Sequence, residues 1–117
     1  MEIEVGEYVR LKSGLIGQFY NIEEGYDSNI QVNFEEFGYE YENIEQFYED
    51  IKLHSKIISE IIEEGDYVNG LRVEYITNEV IFTSGLAHGI LFEDIRIIVT
   101  KEQMASIEYK VYGGRLK

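Results

Sequence analysis

Apolar and polar residues alternate with a period of two along much of this chain, which predicts strands in preference to helices. Tyr8-Val9-Arg10-Leu11-Lys12 sets Val9 and Leu11 on one face and Arg10 and Lys12 on the other. Ser13-Gly14 reads as a turn, and Leu15 to Ile22 as the return strand, kinked or closely approached at Gly17. Ile30, Val32 and Phe34 alternate with Asn29, Gln31, Asn33 and Glu35, the pattern of a half-buried strand. Asn69-Gly70, between Asp66-Tyr67-Val68 and Leu71 to Tyr75, supplies the two positive φ angles of a tight type I′ hairpin. Val80-Ile81-Phe82 and Ile95 to Val99 are denser in apolar residues and are expected at the centre of a sheet.

The period changes to that of a helix in two short places. Ile44, Phe47, Tyr48 and Ile51 fall at i, i+3, i+4 and i+7 behind a capping Asn43, with Glu45 and Glu49 left to solvent. A strand from Asp50 to Leu53 competes for the end of this segment. Thr100 and Gln103 make a capping-box pattern ahead of Met104 and Ile107. A last strand is expected from Ile107 to Tyr112, followed by Gly113-Gly114 and a frayed basic tail with Arg115 and Lys117.

A repeat runs through these elements. VGEYVRLKSGLIG (Val5 to Gly17) is echoed by EGDYVNGLRV (Glu64 to Val73), matching Gly6, Glu7, Tyr8 and Val9 to Gly65, Asp66, Tyr67 and Val68. Glu49-Asp50-Ile51-Lys52 is echoed in the same order by Glu93-Asp94-Ile95-Arg96. The expected fold is therefore mainly β with one or two short helices. Two units are expected, residues 1–57 with an acidic aromatic insert and residues 58–117 ending in a short helix and strand.

The unit opening on a Gly-acid-Tyr-Val hairpin resembles the SH3-like barrel, and GEYVRLKSGLIGQF is similar to the KOW-type strand-turn-strand of translation and transcription proteins. That resemblance covers residues 5 to 20 and, more loosely, 64 to 75. It implies either two tandem SH3-like small barrels or one composite antiparallel β domain. Over the whole length, the "EEGDYVNG" pairing and the "VTKEQMASIEYKV" ending resemble small uncharacterised proteins of low-GC Gram-positive bacteria and their phages or prophages. That likeness implies a mobile-element origin and carries over no functional residues.

Composition narrows the function. In 117 residues there are 23 Asp plus Glu, 10 Lys plus Arg, no Cys and no Pro, for a formal charge of −13. Such an excess of acid disfavours direct contact with nucleic-acid phosphates or with an anionic membrane. The absence of cysteine excludes disulfides, thiolate metal sites and cysteine nucleophiles. The N-terminal MEIEVGEY is acidic, without the apolar core of a signal peptide, and no apolar run reaches spanning length, so a cytoplasmic protein is expected.

No catalytic constellation stands out. His54 and His88 lack a nucleophile elbow around Ser55 or Ser84, and lack metal-ligand spacing. Asp27, Asn29, Gln31, Asn33 and Glu35 imitate a calcium loop but carry Val32 at the glycine position and Gly38 where the closing Glu belongs. Gly14-Leu15-Ile16-Gly17 lacks the spacing and the Lys of a phosphate loop. A non-enzyme without cofactor or metal is expected.

Charge is unevenly distributed. Between Lys12 and Lys52 there is no Lys or Arg, yet ten acids fall there: Glu23, Glu24, Asp27, Glu35, Glu36, Glu40, Glu42, Glu45, Glu49 and Asp50. Nine of the sixteen aromatics share that segment. Tyr39 and Tyr41 are expected on one side of a strand, with Glu40 and Glu42 on the other. Tyrosine beside carboxylates suits contact with a basic protein, because the ring offers apolar area and the acids steer the encounter. The expected partner-binding residues are Glu35, Glu36, Tyr39, Glu40, Tyr41, Glu42, Glu45, Tyr48, Glu49 and Asp50. The expected partner is a basic protein, such as a CRISPR effector nuclease or another nucleic-acid-binding enzyme met by a phage anti-defence protein. Two alternatives stand beside it: a KOW-like nucleic-acid or ribonucleoprotein module using Arg10, Lys12, Arg72 and Arg96, and a virion or assembly protein. The number of copies in the assembly is left open.

Overall fold

The computed structural model describes residues 2–85 and 88–107. The first unit contains β1 (Tyr8–Leu11), β2 (Ile16–Glu24), β3 (Ile30–Phe34), β4 (Gly38–Tyr41), α1 (Ile44–Asp50) and β5 (Ile51–Ser55). A 3₁₀ turn over Ile58–Ile61 leads to β6 (Tyr67–Val68), β7 (Leu71–Ile76), β8 (Val80–Thr83) and β9 (Ile90–Leu91). A second 3₁₀ turn (Phe92–Asp94), β10 (Ile98–Val99) and α2 (Lys101–Ile107) follow. The protein is mainly β, as the alternation predicts.

Two antiparallel sheets result, ordered β4-β3-β2-β1-β5 and β10-β6-β7-β8-β9. These are the same order: in each, the last strand returns past a helical turn to pair with the first. No ladder closes either sheet into a barrel among the described residues, which favours the composite β domain over two closed barrels.

The echoed residues occupy equivalent places. Gly6 and Gly65 have φ of 93° and 92°, in the left-handed region where side chains are disfavoured. Glu7 N donates to Glu4 O and Asp66 N to Glu63 O, both at 3.1 Å. The acid side chain then folds back, so that Glu7 Oε2 accepts from Glu4 N at 2.6 Å and Asp66 Oδ2 from Glu63 N at 2.7 Å. Beyond the turn, Phe19 N donates to Glu7 O and Val73 N to Asp66 O, both at 2.7 Å. Val9 and Val68 are both wholly buried. In the second echo, Ile51 opens β5 directly after α1, whereas Ile95 caps the 3₁₀ turn and precedes β10 by three residues.

Each sheet has its own core. Val9, Leu11, Phe19, Val32, Phe34, Tyr41, Phe47 and Ile51 form the first; Ile62, Val68, Val73, Ile81 and Ile90 form the second. Phe47 is fully buried on the inner face of α1 and lies between Phe19, Phe34, Tyr41 and Tyr48. Burying a ring of that size stabilises the unit by roughly 1.5–3 kcal/mol. Asn43 caps α1 by accepting from Gln46 N at 2.9 Å, and the helix stops at Asp50, so both readings of this segment hold on successive residues. Gly17 sits under the rings of Phe34 and Phe37, where a Cβ would come within 2.8 Å of each. Asn69 and Gly70 adopt φ of 52° and 84°, as the hairpin requires.

Two expectations need correction. Ile95 to Val99 is not a central strand: only Ile98 and Val99 pair, at the edge of the second sheet, and Ile97 is exposed. The pairing partner is the two-residue β6, which is too short to support a longer ladder. Arg10 does not share an open face with Lys12. It is fully buried, because the second unit covers its side of β1. The strand expected over Ile107 to Tyr112 and the basic tail lie outside the described residues beyond Ile107.

The junction between the units is an ion network built on that arginine. Arg10 donates through Nη1 to Ile61 O at 2.9 Å and Asp66 Oδ2 at 2.5 Å, and through Nη2 to Asp66 Oδ1 at 2.8 Å and Glu102 Oε2 at 2.5 Å. Lys52 on β5 donates to Glu63 and Glu102, and Lys101 pairs with Glu63. Thr100 and Gln103 make the reciprocal capping box, and Thr100 Oγ1 donates to Gly14 O at 2.9 Å, which seats the start of α2 on the first unit.

Candidate functional site

The acids of the first unit and the acids of the junction do different things. Ion pairs among the described residues fall on Glu4, Glu7, Glu63, Asp66 and Glu102. None reaches any of the ten acids between Lys12 and Lys52. Those acids ride on β2, β4, α1 and the loops after β2, β3 and β4, and all but Asp50 are exposed. Ten carboxylates without an ion pair among the described residues raise a negative potential over this sheet and its helix.

Within this region the predicted residues separate into two places. Glu35 and Glu36 lie in the loop between β3 and β4, followed there by Phe37. They line a cleft between the units whose other walls include Phe37, Ile58, Phe92, Ile95 and Arg96. Tyr39, Glu40, Tyr41, Glu49 and Asp50 line a shallow depression beside β4 and α1, with Gln46 and Lys12 at its border. Glu42 and Glu45 are exposed between these elements, at the start of α1. The segment is thus free of cations in sequence, but its neighbour Lys12 is brought to its rim: Lys12 N donates to Asp50 O at 2.8 Å.

The predicted residues are not equally available to a partner. Tyr39 is 41% exposed, whereas Tyr41 is 7% exposed and belongs to the core. They do share a face, stacked with ring centroids 5.9 Å apart, but that face points inward at Tyr41. Tyr41 Oη donates to Asp50 Oδ2 at 2.7 Å. Burial, then the hydrogen bond to Asp50, push the Tyr41 hydroxyl well above the usual phenol range, so it stays protonated. Tyr48 is half-buried against Phe47. Tyr41, Tyr48 and Asp50 therefore shape the face, while Glu35, Glu36, Tyr39, Glu40, Glu42, Glu45 and Glu49 present it. Glu40 is oriented by Asn29 Nδ2, which donates to Oε1 at 2.7 Å.

The junction network was not apparent from alternation alone. One signal pointed to it: Asp66 matches Glu7 in the repeat, and an acid conserved in kind between two copies of a turn has a structural task in both. Burial raises the Glu102 carboxyl, but hydrogen bonds from Lys52, from its own backbone N–H and from Arg10 more than offset this and hold it at about 2. Glu63 is lowered in the same way by Lys52 and Lys101 against the effect of burial. With Arg10 enclosed, the four cations of the KOW-like alternative do not gather on an exposed face.

Among the described residues, no group of three or more His, Asp or Glu is placed to hold a metal ion, and no helix is long and apolar enough to cross a membrane. Fold and face define a mainly β protein of two like-ordered sheets with one acidic flank. The chain matches no protein-family model, no curated protein and no solved structure.

Proposed function

We propose that this protein is a non-catalytic binding module whose acidic flank, on β4, α1 and the loop between β3 and β4, docks on the basic surface of a nucleic-acid-binding protein. The observation that supports this reading is the sorting of charge. Arg10, Lys52 and Lys101 are used at the junction, where they hold the fold, and the ten acids of the first unit, with Lys12 at their rim, are left without an ion pair among the described residues. A rigid sheet carrying spaced carboxylates offers a lysine- and arginine-lined groove the kind of charge it is built to receive from phosphates. In the setting that the resemblance to phage and prophage proteins implies, the partner is a host nuclease such as a CRISPR effector, and binding blocks its nucleic-acid groove.

The test is affinity capture from host lysate at low and high salt, with the native chain and with a variant reversing Glu40, Glu42, Glu45 and Glu49 to Lys. A basic nucleic-acid-binding protein is expected with the native chain at low salt, and is lost both at high salt and with the variant. Equal capture by the folded variant would discard this face.

A further inference from the structure

We propose that the open edge of β4 takes up an extended cationic segment of the partner as a sixth strand of the first sheet. This rests on the binding reading above and specifies how the partner is held.

The main chain carries the proposal. Among the described residues β4 pairs with β3 alone, which leaves its other side as an edge. Phe34 N donates to Phe37 O at 2.8 Å, closing the Glu35-Glu36 loop with a hydrogen-bonded pair. From that pair the antiparallel ladder alternates. Tyr39, opposite Val32, and Tyr41, opposite Ile30, therefore turn their N–H and C=O groups toward β3. Gly38 and Glu40 turn theirs to the open side, and both residues are exposed. The next outward N–H, of Glu42, is already taken by Gln46 Oε1 at 2.8 Å, which ends the usable edge. Two residues with free donors and acceptors remain, a short template for an added strand.

Charge selects this edge and its occupant. The competing edge of the same sheet, β5, carries Lys52 and is followed by Lys56. In the second sheet, the edge strands β9 and β10 are only two residues long. β4 carries Glu40 between Glu36 and Glu42, none of them in an ion pair among the described residues, with Lys12 in the depression beside it. A strand laid along it alternates its side chains over the two faces that β4 itself presents. On one it meets Glu40, held by Asn29; on the other it meets the exposed ring of Tyr39, suited to an apolar side chain or to the flat of an arginine. The fitting segment alternates cationic and apolar residues.

The probe is the synthetic peptide acetyl-Arg-Val-Arg-Val-Arg-Val-amide, titrated into the full chain and followed by calorimetry and by amide hydrogen exchange. Two analogues carry N-methyl groups on all three arginines or on all three valines, blocking one strand edge each at unchanged charge. The expected result is binding of the parent and of one analogue, at least tenfold weaker binding of the other, and slowed exchange at Gly38 and Glu40. Binding of parent and both analogues alike, abolished by reversing Glu40, Glu42, Glu45 and Glu49, would overturn strand addition and leave the acidic flank as a purely electrostatic site. Loss with both analogues and no slowing at Gly38 and Glu40 would also overturn it. No binding of the parent while the flank still captures its partner would overturn it as well. A concentration-dependent dimer whose Gly38 and Glu40 amides are protected without peptide would show that the edge serves a second copy instead.

Discussion

Arg10 and Asp66, 56 residues apart and both without solvent exposure, meet in a two-point ion pair that ties the first strand of one sheet to the opening turn of the other. Asp66 does more than neutralise the arginine. Its Oδ2 also accepts from Glu63 N at 2.7 Å, and its Oδ1 from Lys101 N at 2.9 Å, so one carboxylate holds the repeat turn and the start of α2 together.

Removing either partner breaks a buried ion pair, which costs about 3–5 kcal/mol, and after loss of Asp66 the guanidinium keeps only Glu102 and the more distant Glu63. Asp66→Ala is expected to exceed Arg10→Met, because it also strips two backbone N–H groups of their acceptor. Urea unfolding of the two single variants measures the difference. A ranking in which Arg10→Met is the more damaging would mean that the carboxylate's backbone contacts contribute little.

Acid should loosen the same junction. Glu102 is held at about 2 and Glu63 below its ordinary value of 4.5, so folding favours their charged forms. Groups lowered in this way contribute stability above their unfolded value, and the contribution is lost as the pH falls from 4.5 toward about 2. The urea midpoint is expected to drop across that window, and Glu102→Gln to show a shallower drop. Parallel pH profiles for the two proteins would refute the assignment.

Gly17→Ala tests the close approach in the first core. The new methyl would meet the rings of Phe34 and Phe37 at 2.7 and 2.8 Å, and overpacking of this kind costs about 1–3 kcal/mol. Trimming Phe37 to Leu in the same chain should recover part of the loss, read from thermal melts of the single and double variants.

Salt should act in opposite senses on the fold and on its proposed contact. Repulsion among the unpaired acids of the first unit falls as the Debye length shrinks from about 10 Å at 0.1 M salt to about 3 Å at 1 M. The melting temperature is therefore expected to rise with added salt, while capture of a cationic partner falls. Changing Glu40, Glu42, Glu45 and Glu49 to Gln should mimic the rise at low salt. A melting temperature that is flat or falling with salt would indicate that these carboxylates do not strain the fold.

Much of this architecture could be read from residue patterns, for local reasons. Asn69-Gly70, Asn43 and the Thr100–Gln103 pair act through backbone geometry within a few residues, so their sequence signals survive folding. The repeat was visible because Gly6 and Gly65 answer to a φ that most side chains resist. Arg10 was misplaced for the opposite reason. Alternation says which residues share a face of β1 but not what later covers that face, and here the cover arrives from residues 61 to 102. Tyr41 shows the same limit at the candidate site. Its pairing with Tyr39 on one side of β4 was legible, but α1 packs over one end of that strand and draws only one of the two rings into the core. Ile95 to Val99 misled because an apolar run signals concealment more readily than it signals pairing, and β6 has only two residues to offer it.

Each copy of the repeated turn has a carboxylate with one oxygen accepting from its own bend. In the first copy, the other oxygen of Glu7 meets His54 within the same sheet at 2.9 Å. In the second, both oxygens of Asp66 reach Arg10 in the neighbouring copy. A fragment carrying only the amino-terminal half would consequently open that side of β1 to water and turn an interior guanidinium into a surface one. The same carboxylate position is thus used twice, once to brace its own sheet and once to clasp the other.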